Sequence, residues 1–482
     1  MLLRHSVYYL LARGLPGLVN FAALALFTRL LAPDEFGRYA LVITGVGLAN
    51  VVIFQWLRLV LARFLQASKD DLERFLAGIL SLFITLAAVV TGLGVVLGLL
   101  WPDPVWRRLL VLAVLLLVSE AWFELNQSLA QAELKPGWYG KLRGSKALIS
   151  LVVGGVLAWL GLGAAAPIIG LLFAYCAAVM LFALGAWRGI TPRWPHSDAL
   201  RAQLRYGLPL IVTFALAWVV SGSDRLIIAV LLNESAVGRY AAGYDLAFQS
   251  LTVLLTIINT AAYPLAVNAM VQGGKDAARK QLEQNGQLII AAAFTGGAGL
   301  IALNPYLVNI LIGEEFRSTS LAILPWVAFA AAIAGIKSYH FDLAFQLSCK
   351  SYWLALTGGV AAIINIVLNL LLIPSFGIVG AAWATLASYG IAAITSAWLG
   401  SRLNFMPYVI PLLAKAVIVA GMVGITAWLS AGLSEETWMA LMFGLLSGIV
   451  MAFLASLLMN LCGLRTIVLV RLKCRFFEAG AR

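Results

Sequence analysis

Apolar residues in this chain do not alternate with polar ones. They run on for about twenty residues, stop at short polar turns, and resume. Such runs fall near residues 9–31, 38–57, 75–100, 109–132, 143–161, 167–187, 206–232, 239–264, 285–312, 320–346, 352–373, 378–399, 407–431 and 437–461. A helix that crosses a bilayer needs roughly 20 mostly apolar residues. The runs are too long and too uniformly apolar for barrel strands, which leaves helices as the spanning elements. The pattern therefore predicts an all-α polytopic membrane protein with about 14 transmembrane helices.

Composition agrees: 62% of residues are hydrophobic, 11% are charged, and the mean hydropathy is +0.96. No soluble domain hides that much apolar surface. The first run lacks a small-residue cleavage site and is read as a span rather than a leader. The net charge of +12 would suggest nucleic acid in a soluble protein; here its distribution matters more, and no nucleic-acid partner is expected. With the N-terminus in the cytoplasm, 23 of the 33 Lys and Arg residues fall on inner segments, five on outer loops (Arg38, Arg107, Arg108, Arg239, Arg317) and five within spans. This positive-inside bias predicts that both termini are cytoplasmic. The outer loops are too short to hold a catalytic domain. The tail mixes Arg471, Lys473 and Arg475 with Phe476 and Phe477; it is expected either to lie on the anionic inner leaflet or to be solvated. Cys176, Cys349, Cys462 and Cys474 show no metal-ligand spacing and are expected to be unpaired.

The chain also repeats itself. The first run contains "GLPGLVNFAALALFTRLLAPDEFGRYAL" and the seventh "GLPLIVTFALAWVVSGSDRLIIAVLLNESAVGRYA". Both open with Gly-Leu-Pro and close with Gly-Arg-Tyr-Ala. Thr28-Arg29 in one matches Asp224-Arg225 in the other, and the seventh is longer by eight residues. Farther on, Gln131 aligns with Gln346 and Lys135 with Lys350. Six helices separate equivalent points, so the copies keep the same orientation in the membrane. The expected organisation is a six-helix lobe over 1–190, a second over 191–401, an added helix pair over 402–464 and a basic tail over 465–482. Two such lobes facing each other would leave a cavity lined by their first helices.

The segments "TRLLAPDEFGRYAL", "SDRLIIAVLLNESAVGRYAAGYDLA" and "IVLNLLLIPSFGIVGAAWATLASY" resemble the hallmark segments of Wzx-type oligosaccharide flippases. These form the polysaccharide-transport branch of the multidrug/oligosaccharidyl-lipid/polysaccharide exporter superfamily. The third segment is the most specific, with Asn365, Asn369, Pro374, Gly377 and "GAAWAT" in register. The resemblance spans about residues 5–400. It implies two six-helix lobes in a V shape plus two C-terminal helices, and an oligosaccharide cargo on an undecaprenyl pyrophosphate carrier. The setting it implies is a bacterial inner membrane and surface polysaccharide assembly, as O-antigen, capsule or exopolysaccharide. A polymerase and a chain-length regulator are the protein partners of such a pathway, beside membrane lipids.

Charges inside spans are costly and mark functional sites. A cationic lumen suits a pyrophosphate, and arginine offers a fork that matches its oxygens. The candidate substrate-binding residues are Arg13, Arg29, Arg225, Lys337 and His340; Arg29 could instead snorkel, and Lys415 suits packing or a lipid groove. The candidate ion-coupling or cavity-lining residues are Asp224, Glu120, Glu124, Asp245 and Asp342. Glu120, Glu124, Gln127 and Gln131 share one helical face, as do Asp245, Gln249, Thr252, Thr256 and Asn259. Each stripe meets either a hydrated cavity or a partner helix. No nucleotide loop, nucleophilic triad or metal cluster is present in the sequence, so no cofactor is expected, and the ion gradients to consider are H+ and Na+. The leading reading is a flippase that is not an enzyme. The alternatives are a lipid II flippase, a cation-coupled small-molecule exporter and, opposed by the short outer loops, a membrane-bound polymerase or ligase.

Overall fold

The computed structural model describes residues 2–67, 71–348, 350, 352–403 and 410–461, with the backbone alone for 2–15 and 410. The basic tail, Lys69, Cys349, Cys462 and Cys474 lie outside the described residues. Among those described there is no strand.

The helices are α1 (Leu2–Leu30), α2 (Pro33–Ile53), α3 (Gln55–Phe64), α4 (Leu72–Leu99), α5 (Pro104–Ala132), α6 (Pro136–Trp159), α7 (Ala165–Phe182) and α8 (Ser197–Leu231). They continue as α9 (Glu234–Ala302), α10 (Asn304–Leu311), α11 (Glu314–Ile336), α12 (Leu343–Leu347), α13 (Tyr352–Arg402), α14 (Ile410–Ala431) and α15 (Thr437–Leu458). Among the described residues, 11 helices are long and apolar enough to cross a membrane. Two of them cannot be single crossings: α9 has 69 residues and α13 has 51, or about 100 and 75 Å at 1.5 Å per residue. Each breaks at a glycine with positive φ, Gly274 (φ 68°, ψ −156°) and Gly377 (φ 59°, ψ −140°), a conformation that glycine adopts without a Cβ penalty. Past Gly274 the chain folds back, and Asn285 Nδ2 donates to the Ala262 carbonyl at 2.7 Å. Counting these two helices twice and adding the apolar Pro16–Leu30 part of α1, every predicted run finds its helix.

Three predicted runs are broken where the sequence reads as continuous. The second run breaks at Phe54, between α2 and α3. The ninth ends early, because Leu303 leaves the helix and α10 restarts with a proline in its first turn. The tenth is interrupted by a π-turn, Lys337–Phe341, between α11 and α12.

Helix starts follow the local chemistry. Ahead of α2, Glu35 accepts the Ala32 N–H at 3.1 Å and Pro33 takes the first helical position. Asp103 caps α5 by accepting from Val105 N at 2.6 Å and Trp106 N at 3.2 Å. Asn233 caps α9 by accepting from Ala236 N at 2.8 Å.

The chain divides into two compact units, Met1–Ala242 with Asn365–Ala381, and Gly243–Ile364 with Ala382–Arg482. The core of the first centres on Phe54, Leu57, Leu61, Ile79, Leu116 and Leu125. That of the second centres on Leu251, Leu255, Ile289, Ile290, Ala293 and Ala328. As expected of a lipid-facing helix, α4 exposes Leu93, Val96, Leu97 and Leu99, although Ile79, Leu82 and Phe83 are buried.

Candidate functional site

The adjacent charges of α8 part company in the fold: Asp224 is 1% exposed, whereas Arg225 is half-buried. Tyr240, on the first turns of α9, donates its hydroxyl to Asp224 Oδ2 at 2.7 Å. Asn369 Nδ2, on α13, donates to Asp224 Oδ1 at 3.3 Å and to Asn365 Oδ1 at 3.1 Å. Ser223 Oγ donates to Asn365 Oδ1 at 2.9 Å. Ser223, Asp224, Asn365 and Asn369 are all buried. A carboxylate in such a place needs donors or a cation to replace water. Tyr240 and Asn369 are donors to it, while Asn369 Oδ1 and Asn365 Nδ2 are buried and meet no hydrogen-bonding protein atom.

A second polar group lies in the first unit. Glu124 Oε2 meets Arg58 Nη1 at 2.6 Å and accepts from Asn50 Nδ2 at 2.8 Å. Glu124 and Arg58 keep 27% and 21% of their side-chain exposure, so the pair is only partly enclosed by protein. One turn earlier, Glu120 shares its surroundings with Tyr175 and Lys146, and the Lys146 ammonium sits 5.0 Å from the Tyr175 ring centre. The predicted acidic stripe of α5 thus meets bases and tyrosines of α3, α6 and α7. Neighbouring Asn126 is buried instead, where it accepts from Trp187 Nε1 at 2.7 Å.

The π-turn of the second unit gathers Lys337, His340 and Asp342. Lys337 Nζ meets Asp342 Oδ2 at 2.7 Å, both nearly buried, and Ser396 Oγ donates to Asp342 Oδ1 at 2.9 Å. His340 is fully buried and neither ring nitrogen finds a hydrogen-bonding protein partner. π-turns recur at functional sites because they redirect side chains within a helix.

The two repeat copies meet in the first unit. A Cβ on Gly37 would strike the Glu234 carbonyl oxygen, and one on Gly238 would strike the Pro33 carbonyl oxygen. The two collisions are related by the same offset that aligns the copies, so the contact is a two-fold crossing of α2 and α9. Beside it Glu234 pairs with Arg38, which also meets Asp34 at 3.2 Å, and accepts from Trp106 Nε1 at 2.7 Å.

The other predicted residues are scattered. The Arg13 side chain lies outside the described residues. Arg29 is exposed and folds back to the Ala25 carbonyl at 2.7 Å. Asp245 is half-buried in the second unit and Lys415 is exposed on α14. Sequence reasoning did not assign Tyr240, Asn365 and Asn369 to the Asp224 cluster. The signal was the pair of asparagines four residues apart in an otherwise apolar run.

Each unit also carries an apolar groove. One of about 390 Å³ lies between α2, α4 and α5. The other, about 350 Å³, is bounded by the second arm of α9 with α14 and α15.

A family model described as "Polysaccharide biosynthesis protein" matches residues 26–321. A probable low-salt glycan biosynthesis flippase, Agl15, of Haloferax volcanii is 22% identical over 410 residues, covering 82% of this chain and 83% of that protein. Among solved structures, the lipid II flippase MurJ in an inward closed conformation superposes with a TM-score of 0.74 at 12% identity, covering 97% of this chain and 100% of that one. An inward-facing multidrug transporter of the MATE family gives a TM-score of 0.63 at 13% identity, covering 81% and 94%. The helical fold is therefore the one these transporters share, and the similarity agrees with the flippase resemblance carried by the repeat segments. The match spans more than half of the chain, and the protein belongs to the polysaccharide biosynthesis protein family.

Proposed function

We propose that this protein is a flippase that carries an oligosaccharide on a polyprenyl pyrophosphate from the inner to the outer leaflet of a bacterial inner membrane, by alternating access, for surface polysaccharide assembly. The family supports the pathway, and the relative described as a glycan biosynthesis flippase supports the activity. The basic residues among its spans would pair with the pyrophosphate, and the apolar groove beside α14 and α15 suits an isoprenoid chain. The sugar would pass the partly exposed acids and bases of α3, α5 and α6.

The observation that carries a coupled mechanism is the Asp224 cluster. A carboxylate beside one unpartnered amide oxygen offers hard oxygen ligands, suited to Na+ or to a proton held on the acid. The partnerless Asn369 Oδ1 fits such an ion. Ion binding would neutralise the buried charge, and an ion that favours one conformation over the other shifts a two-state transporter. A lipid II flippase uses the same fold and is the second reading. The two separate in proteoliposomes offered either lipid II or an undecaprenyl-pyrophosphate oligosaccharide without the peptide. Our reading expects protein-dependent movement of the second; movement of lipid II alone would replace it.

A further inference from the structure

We propose that the groove between α2, α4 and α5 binds one acyl chain of an anionic phospholipid, whose phosphate is held by Arg107 at the α4–α5 turn. Small residues line the groove, Gly45 and Ala49 on α2 and Gly94 and Gly98 on α4; the two α4 glycines let that helix close on Val114 and Val111 of α5, while the α2 side stays unfilled. A Cβ at Gly45 would meet nothing within 4 Å, so the space is open at that point. Along its flank Leu93, Val96 and Leu100 are exposed. In a membrane-spanning helix such a surface is covered by lipid chains, and the groove continues that surface inward.

One end of the groove is amphipathic. Trp101 and Trp106 line it there, and tryptophan prefers the level of the lipid headgroups. Arg107 Nε donates to the Trp101 carbonyl at 3.2 Å. This fixes the guanidinium beside the mouth and leaves its remaining N–H groups, in an exposed side chain, for a phosphate. Arg108 follows on the next face and adds positive charge. The acid of this turn, Asp103, is occupied in capping α5. An apolar slot ending in an arginine and two indoles is complementary to a chain ending in a phosphate. Trp106 also donates to Glu234, the partner of Arg38, so an occupant resting on that indole bears directly on the crossing of α2 and α9.

The test uses the full-length protein in nanodiscs with phosphatidylglycerol that carries a diazirine on one acyl chain, followed by mass spectrometry of crosslinked peptides. A phosphatidylcholine analogue with the same chain is the comparison. We expect label to concentrate on residues 41–49, 94–101 and 106–117, several-fold above other lipid-facing segments. Gly45→Phe, which fills the slot, should lower it several-fold, whereas Gly421→Phe, at another exposed glycine with open space around it, should not. Arg107→Ala, on the surface, should remove the preference for phosphatidylglycerol and keep folding intact. Label spread evenly over lipid-facing helices, or unmoved by Gly45→Phe, would overturn the site. Equal labelling by phosphatidylcholine in the unsubstituted protein would overturn the role of Arg107. Displacement of the probe by an equimolar polyprenyl phosphate, with no displacement by unlabelled phosphatidylglycerol, would overturn the choice of ligand.

Discussion

Asp224→Asn tests whether the buried carboxylate is the ion site proposed above, separately from its part in folding. The carboxylate is 1% exposed and held by Tyr240 at 2.7 Å and Asn369 at 3.3 Å. Asparagine at this position has the same shape. Its oxygen can still accept from Asn369, and its amide can donate to the Tyr240 oxygen once that hydroxyl rotates. The protein–protein network survives, and what is lost is the extra strength of bonds to a charged acceptor, on the order of 1–2 kcal/mol. If the cluster is the ion site, ion binding should be lost more completely, because the ligand set loses its carboxylate charge. If the cluster holds Na+, the unsubstituted protein should gain stability as RT ln(1 + [Na+]/Kd), about 2.7 kcal/mol at a hundredfold excess over Kd, and its Tm should rise by a few degrees. The assay is thermal unfolding in detergent with NaCl titrated against choline chloride at constant ionic strength, repeated across pH to separate a proton from sodium. The Asn variant should unfold near the ion-free temperature of the unsubstituted protein at every NaCl concentration. Tyr240→Phe should keep an ion response but start lower, because the carboxylate loses a donor worth about 1.5–3 kcal/mol. An equal Na+ or pH response in the Asn variant and the unsubstituted protein would refute Asp224 as the ion site.

Gly238→Ala should push α9 off α2, since the Pro33 carbonyl cannot move aside as a side chain could; we expect a loss of about 1–3 kcal/mol in thermal unfolding, and no loss would mean the crossing is looser than described. Lys337→Met should destabilise by about 3–5 kcal/mol by stranding Asp342, and Lys337→Met with Asp342→Leu should recover most of it; a double variant as unstable as the single would show that the pair does more than neutralise itself. Single cysteines at Glu234 and Lys275 should react with an impermeant reagent from outside and inside respectively, and the reverse would invert the topology. Glu124→Gln should weaken the Arg58 contact by no more than about 1 kcal/mol, because both groups are partly exposed, while lowering glycan export more than stability; normal export would remove the cluster from the transport path.

Span existence was legible in the sequence because it depends on local hydropathy alone. A run such as 75–100 is long and apolar enough to cross a bilayer whatever surrounds it. The breaks inside the runs were less legible. Pro305 marks the restart after Leu303 locally, whereas nothing local marks Phe54 or the Lys337–Phe341 turn, because apolar composition looks the same in an α-turn and a π-turn. The repeat showed that Gly37 and Gly238 are equivalent, but not that they touch. Asp224 stood out as a charge within a span, yet its partner Asn369 is 145 positions away. An i,i+4 spacing places Asn365 and Asn369 on one face without saying which helix that face meets.

The central claim is that the cargo is a lipid-linked oligosaccharide. The most direct measurement is flipping by the purified protein in proteoliposomes that contain a fluorescent undecaprenyl-pyrophosphate oligosaccharide, read by access of a membrane-impermeant glycosidase. The account predicts protein-dependent transfer between leaflets that rises with an imposed Na+ or proton gradient and is lost in Asp224→Asn. Absence of that transfer, in vesicles where the same protein exports a soluble organic cation, would contradict it.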